Sequence, residues 1–192
     1  MTKSRGGPIA SELSIDIVVN NYNYAPYVAA AVDSALAQTH RRGKVIVVDD
    51  GSTDGSREIL AAYADKVELV LKPNGGQASA LNAGFERSTG DAVIFLDADD
   101  MLGPDAAGLV AAAFAHDERV VKAQYRMEVI DSSGERTGIV KPAPHLPLPQ
   151  GDVTRAELVF PFDLVWLATS GNAFRSEALR AIAPIPEREF AS

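Results

Sequence analysis

Apolar residues along this chain fall into short blocks closed by polar loops. Ile15–Val19 is a β-branched run of the kind buried on both faces, and it predicts the first strand. Polar Asn20-Asn21-Tyr22-Asn23-Tyr24 follows, and Pro26 stands where a first helical turn tolerates proline. Tyr27, Val28, Ala31, Val32, Ala35 and Leu36 then recur at helical spacing, predicting an amphipathic helix to about Gln38. Val45–Val48 predicts a second strand, ending in Asp49-Asp50-Gly51-Ser52-Thr53-Asp54-Gly55. Ile59, Leu60 and Tyr63 mark a second helix, Val67–Leu71 a third strand, and Asn74-Gly75-Gly76 opens a helix over Ala78–Arg87. Val93–Leu96 is a fourth strand, closed by Asp97-Ala98-Asp99-Asp100.

Strand–helix units in succession predict an α/β fold, a Rossmann-like, mostly parallel sheet with helices on both faces. Such sheets bind ligands beyond the carboxyl ends of their strands. Every polar motif named above falls at such an end. Beyond Pro104 the regularity fades into a smaller mixed region. Asp105–Ala115 predicts an alanine-rich helix, Val120–Ile130 one long strand, and Ser132-Ser133-Gly134 a turn back to Thr137–Val140. Four prolines between Pro142 and Pro149 predict a loop. Thr154–Phe160 predicts a short helix, and Ser170-Gly171-Asn172 leads through Ala173–Arg175 into a helix over Ser176–Ile182. The domain reading is a flexible leader over 1–14, a ligand-binding half over 15–103, and a second, incomplete half over 104–192.

Composition narrows the chemistry. The 192 residues carry 26 acids against 18 bases, a net charge of −8, and no cysteine. Disulfides, thiolate metal sites and thiol nucleophiles are excluded. A nucleic-acid polymer is not expected as a partner, because binding one needs basic surface. A small anionic ligand stays open, since a bound divalent cation reverses the local sign. No apolar run reaches the ~20 residues of a membrane span, and the opening residues lack a signal-peptide core.

The acids are concentrated where the chemistry would be. In Asp97-Ala98-Asp99 alternate side chains project to one side, so two carboxylates converge; hard oxygen ligands of this type suit Mg²⁺ or Mn²⁺ when phosphate oxygens complete the shell. Capping of the helix after Pro104 is the alternative role for these aspartates. Asp50–Gly55 imitates the start of a calcium loop, but the twelfth place is Ala61, where a glutamate is needed. It reads instead as a strand-to-helix turn, capped by Thr53 or Asp54, with one aspartate able to accept from a nucleobase imide N–H. Asn74-Gly75-Gly76-Gln77 resembles a phosphate-binding turn without the P-loop lysine. Tyr22 offers a ring on which a base can stack, while Tyr24 is expected to pack over the sheet edge. His40, His116 and His145 have no mutual spacing that suggests a metal site.

On Asp16–Tyr24, Val45–Ser56, Asn74–Gly84 and Phe95–Asp100, in that order, the chain resembles the family 2 glycosyltransferases of GT-A fold; Thr169–Arg175 is a weaker fifth match. The resemblance implies transfer of a sugar, with inversion, from a nucleoside-diphosphate sugar, a UDP-sugar being favoured. The acceptor would be a hydroxyl on a saccharide, lipid or other molecule, and the cofactor Mn²⁺ or Mg²⁺. It implies nucleotide binding by Asn20, Asn21, Tyr22, Asp49, Asp50, Gly76, Asn82, Asp97 and Ala98. Metal contacts would fall to Asp97 and Asp99, and the acceptor side to Trp166, Ser170, Gly171 and Asn172. Where the family carries a proline and a small hydroxyl residue, this chain has Asn20-Asn21. The family's carboxylate base follows a stretch like Ala183–Glu187, so it is expected beyond Ser192. That makes the chain a C-terminally truncated catalytic domain, cytoplasmic or membrane-associated through the missing part. Two alternatives stand beside this reading. Val93–Asp99 also resembles the strand and D-x-D of haloacid-dehalogenase-type phosphatases, and the same loops would serve a non-catalytic nucleotide-sugar-binding module.

Overall fold

Strands form where apolar residues run uninterrupted, because a strand covered on both faces has no solvent side to alternate toward. In the computed structural model, which describes residues 9–153 and 168–187, these runs become β1 (Ile15–Asn21), β2 (Val45–Asp50), β3 (Glu68–Lys72) and β4 (Ala92–Asp97). Between them lie α1 (Val28–Leu36), α2 (Ser56–Ala61) and α3 (Gly76–Arg87). Then come α4 (Ala106–His116), β5 (Lys122–Gln124), β6 (Met127–Ile130), β7 (Arg136–Lys141), β8 (Asn172–Arg175) and α5 (Ser176–Ile182). Three strands extend past their apolar blocks into the polar motifs. Asn20 and Asn21 belong to β1, Asp49 and Asp50 to β2, and Asp97 to β4, so strand register chooses their neighbours.

The main sheet has the order β3-β2-β1-β4-β8-β5. β1 lies parallel to β2 and β4, β2 is parallel to β3, and β8 runs antiparallel to β4 with Ala173 opposite Ile94. Right-handed crossovers from β1 to β2 to β3 keep α1 and α2 on one face, and the return to β4 puts α3 on the other. Val18, Ile46, Val48, Val93 and Phe95 form a core with Ala80 of α3 and Leu179 of α5. The alternate residues Ile17, Val19, Val47, Ile94 and Leu96 are buried on the opposite face. Each such side chain stabilises the fold by roughly 1.5–3 kcal/mol. This two-sided core therefore anchors the strand ends that carry the acids. α3 lies close on the sheet at Gly84, where an added Cβ would stand 2.3 Å from Val18 Cγ1.

The chain divides into two compact units, one reaching Ala123 and resuming at Ala173, the other Gln124–Asn172. The expected boundary after residue 103 is displaced because the chain returns. β8 hydrogen-bonds along β4, and the Arg175 guanidinium donates to the carbonyls of Phe114 (2.8 Å) and Val120 (3.0 Å). In the second unit β6 and β7 pair as the predicted hairpin. There the Arg126 guanidinium donates to the carbonyls of Pro142, Ala143 and Leu146, which folds the proline-rich loop around it. The single strand predicted over Val120–Ile130 is instead two short ones, β5 and β6. Within the span expected to be a leader, Leu13 is buried, and the Ser14 amide and hydroxyl both donate to Asp91 Oδ2 at 2.8 Å. The helix predicted over Thr154–Phe160 lies outside the described residues. Among the described residues, no helix is long and apolar enough to cross a membrane.

Candidate functional site

Parallel register sets the polar strand ends side by side. Asn20 pairs with Asp97, Asn21 with Asp49, and Asp50 with Lys72. A side-chain hydrogen bond closes each pair: Asn20 Nδ2 donates to Asp97 Oδ1 (2.9 Å), Asn21 Nδ2 to Asp49 Oδ2 (2.8 Å), and Lys72 Nζ to Asp50 Oδ1 (2.5 Å). β1 and β4 flank the point where the strand order reverses, which is where open α/β sheets hold their ligands.

Asp49 is fully buried and serves the scaffold. Its Oδ1 accepts from Arg57 Nε (2.6 Å) and the Ser52 amide (3.0 Å). Burial pulls this carboxyl upward, but hydrogen bonds from Ser52, the Arg57 guanidinium and Asn21 outweigh it and hold the group below the ordinary carboxylate range. A group depressed in the folded state contributes stability that is complete above its unfolded value, 3.8, and lost as pH falls through the folded one. Asp49→Asn is therefore expected to cost about 1–3 kcal/mol at pH 7. It should also flatten the acid limb of stability below about pH 4. Urea unfolding from pH 7 to pH 2 checks this, and an unchanged acid limb would refute it.

Asp50 is also buried, and its carboxylate fills the start of α3. Besides Lys72, it accepts from the amides of Gly75 (3.0 Å) and Gly76 (2.8 Å). The turn that resembles a phosphate cradle thus gives its amides to the protein's own carboxylate. The Gly76 N–H in particular is already committed. Asp49 and Asp50 are consequently offset by cations of the chain itself, Arg57 and Lys72.

At β4 two neutral amides meet the carboxylate. Asp97 Oδ1 accepts from Asn20 and from Gln77 Nε2 (3.0 Å). Ala98 is buried and donates its amide to the Asn20 carbonyl (3.1 Å), while Asp99 is exposed and makes no hydrogen bond or ion pair among the described residues. The helix-capping role does not apply, because Asp105 occupies the cap position of α4. Ser34 on the buried face of α1 and Gln38 just beyond its end hold the loop after β4: Ser34 Oγ accepts from the Leu102 amide (3.0 Å), and Gln38 joins the Gly103 carbonyl (2.8 Å) to the Ala107 amide (2.9 Å).

The β1 and β2 loops are laced together. Asn23, in the left-handed region at φ 58°, accepts from the Thr53 amide (2.8 Å), and Asp54 accepts from the Ala25 amide and caps α2 through Ser56. Tyr22 is left 46% exposed. Tyr24 is 40% exposed, its ring 6.2 Å from that of Tyr27.

Asn82 stands apart from this cluster. Its Nδ2 donates to the Ile185 carbonyl (2.8 Å) and Glu187 Oε1 (3.1 Å), and its Oδ1 accepts from the Ile185 amide (2.8 Å). The side-chain amide holds the segment after α5 and is not available to a nucleotide. Ser170, Gly171 and Asn172 are buried within the second unit, where Asn172 donates to the Ala168 carbonyl (2.7 Å) and accepts from Gln124 (3.2 Å). Trp166 lies outside the described residues. Arg57, Lys72, Gln77, Ser34 and Gln38 are absent from the sequence-derived site. Ser34 and Gln38 had a signal, polar residues on the apolar face of an otherwise regular helix; the other three had none.

The D-x-D motif closes the fourth strand, whereas the phosphatase alternative needs it on the strand that opens the domain. The sequence profile of Glycosyl transferase family 2 matches residues 16–177. An uncharacterized glycosyltransferase of Nostoc sp. is 35% identical over 179 residues, which is 90% of this chain and 54% of that protein. Among solved structures, S. aureus TarS 1-349 has a TM-score of 0.62 at 20% identity, covering 88% of this chain and 49% of that one. The mannosyltransferase PcManGT from Pyrobaculum calidifontis, solved in complex with GDP-Man and Mn²⁺, has a TM-score of 0.61 at 23% identity, covering 95% and 50%. The chain thus spans about half the length of these proteins. Sheet order, strand-end acids and the match over most of the sequence agree: the chain belongs to glycosyl transferase family 2.

Proposed function

We propose that the carboxyl edge of β1, β2 and β4 binds a nucleoside-diphosphate sugar, a UDP-sugar by preference, together with Mn²⁺ or Mg²⁺, for inverting transfer of the sugar to an acceptor hydroxyl. The observation that carries this reading is the division of labour among the acids. Asp49 and Asp50 are matched to Arg57 and Lys72, whereas Asp97 is oriented by amides and Asp99 faces solvent. Among the described residues, no three or more His, Cys, Asp or Glu side chains form a cage. Two carboxylates at one strand end still fit Mn²⁺ or Mg²⁺, which take one or two protein carboxylates and complete the shell with substrate phosphates and water. TarS has been solved with UDP-GlcNAc and PcManGT with GDP-Man and Mn²⁺, which supports the donor class.

In this mechanism Tyr22 stacks on the base, while Asp50, its oxygens taken by Lys72 and the Gly75 and Gly76 amides, holds the turn beside it and is not the acceptor for the base N–H. Asp97 and Asp99 would hold the cation, which would supply Lewis-acid stabilisation of the departing diphosphate. The acceptor hydroxyl attacks the anomeric carbon opposite the leaving group and gives its proton to a carboxylate that follows Ala183–Glu187 in chain order. Ser170, Gly171 and Asn172 are proposed to shape the acceptor side. Calorimetric titration with UDP and GDP, in Mn²⁺ or in chelator, tests the reading. Binding should require the metal, and Asp99→Ala should weaken it at least about tenfold, the loss of one charged ligand. Absence of binding in Mn²⁺, or unaltered binding by Asp99→Ala, would overturn it.

A further inference from the structure

Gln77 occupies the first turn of α3, yet its side chain crosses the carboxyl edge of the sheet to β4. Its Nε2 donates to Asp97 Oδ1 at 3.0 Å, and Asn20 Nδ2 from β1 donates to the same oxygen at 2.9 Å. A carboxylate oxygen has about two acceptor positions, so two amides from two different elements fill this one and set the plane of the group. An ionised carboxylate only accepts, which obliges both amides to present their NH₂ ends. For Asn20 the consequence is unfavourable: its Oδ1 is turned into a buried spot with no donor among the described residues. Stability alone does not account for an amide held this way. Orientation of Asp97 does.

The choice of donor matters as much as its place. Arg57 and Lys72 meet Asp49 and Asp50 with full positive charges, whereas Gln77 and Asn20 direct Asp97 without themselves cancelling its charge. A carboxylate that must attract a divalent cation is best held by such neutral donors.

We propose that Gln77 is a positioning residue of the donor site: with Asn20 it aims the Asp97 carboxylate at the cation that accompanies the nucleoside diphosphate. This rests on the function proposed above, and the titrations separate the two. Gln77 is exposed, so its replacement should leave the thermal midpoint unchanged. In the full chain, Gln77→Leu should weaken Mn²⁺-dependent UDP binding about fivefold, the worth of one neutral hydrogen bond, with UDP binding in chelator unaffected. Gln77→Lys restores a donor but adds a charge, and should weaken Mn²⁺-dependent binding at least as much. If unsubstituted protein binds no nucleotide in Mn²⁺, both readings fall. If it binds and Gln77→Leu binds equally well, or loses affinity equally with and without metal, the role of Gln77 falls alone.

Discussion

Asp50→Ala is expected to destabilise the protein by about 3 kcal/mol, the lower end of the range for removing one partner of a buried ion pair. The Asp50 side chain is 3% exposed and Lys72 20%, so water partly resolvates the orphaned ammonium but cannot reach the rest of the pocket freely. The alanine also removes the acceptor of the Gly75 and Gly76 amides at the start of α3, for which the described residues offer no other. Lys72→Met should cost less, about 1–2 kcal/mol, because Asp50 keeps both backbone donors. For a chain of this size the larger loss lowers the thermal midpoint by roughly 6–12 °C. Urea unfolding with an unchanged m-value measures both substitutions. A Lys72→Met loss exceeding that of Asp50→Ala would show that the ammonium, not the helix amides, is the main partner.

Gly43→Ala should be as costly, about 3 kcal/mol or more, through steric conflict. Gly43 has φ +136°, and an added Cβ would stand 1.9 Å from the Ile15 carbonyl oxygen. The neighbourhood cannot yield easily. The Ile15 amide donates to the Arg42 carbonyl (2.7 Å), Ile17 to that of Lys44 (2.9 Å), and the Lys44 amide to Asp16 Oδ1 (2.9 Å). Relieving the clash would therefore prise β1 from β2, the pairing that brings Asn21 to Asp49. Gly55 provides the control. It too has positive φ, +96°, but an added Cβ meets nothing within 4 Å. Gly55→Ala should cost only the backbone term, about 1–2 kcal/mol. Equal losses in the two variants would mean that conformation, not contact, governs both positions.

The strands were legible because burial on both faces leaves a continuous apolar block, and the helices because their periodicity is local. The extent of the Val120–Ile130 strand was not. Alternation continues through Tyr125 and Arg126, but the Tyr125 amide donates to the Gly171 carbonyl and Arg126 gives its guanidinium to the proline-rich loop. Both partners are distant in sequence, so no local pattern marks the break between β5 and β6. Gly76 and Asn82 show the same limit inside the motifs. Each was placed near the site by the segment it belongs to, yet the Gly76 amide turns to Asp50 and the Asn82 amide to Ile185 and Glu187.

By itself the sequence determined which segments become strands, that their polar ends share one edge, and that a D-x-D pair alternates onto one side. These follow from side-chain period and backbone propensity, which act over a few residues. The surplus of eight acidic charges, however, has no local address. Strand order and register decided that Lys72 meets Asp50 and Asn20 meets Asp97, and the packing of α2 and α3 on the sheet decided that Arg57 meets Asp49 and Gln77 meets Asp97. Electrostatic pairing depends on distance in space, and the packed core sets that distance.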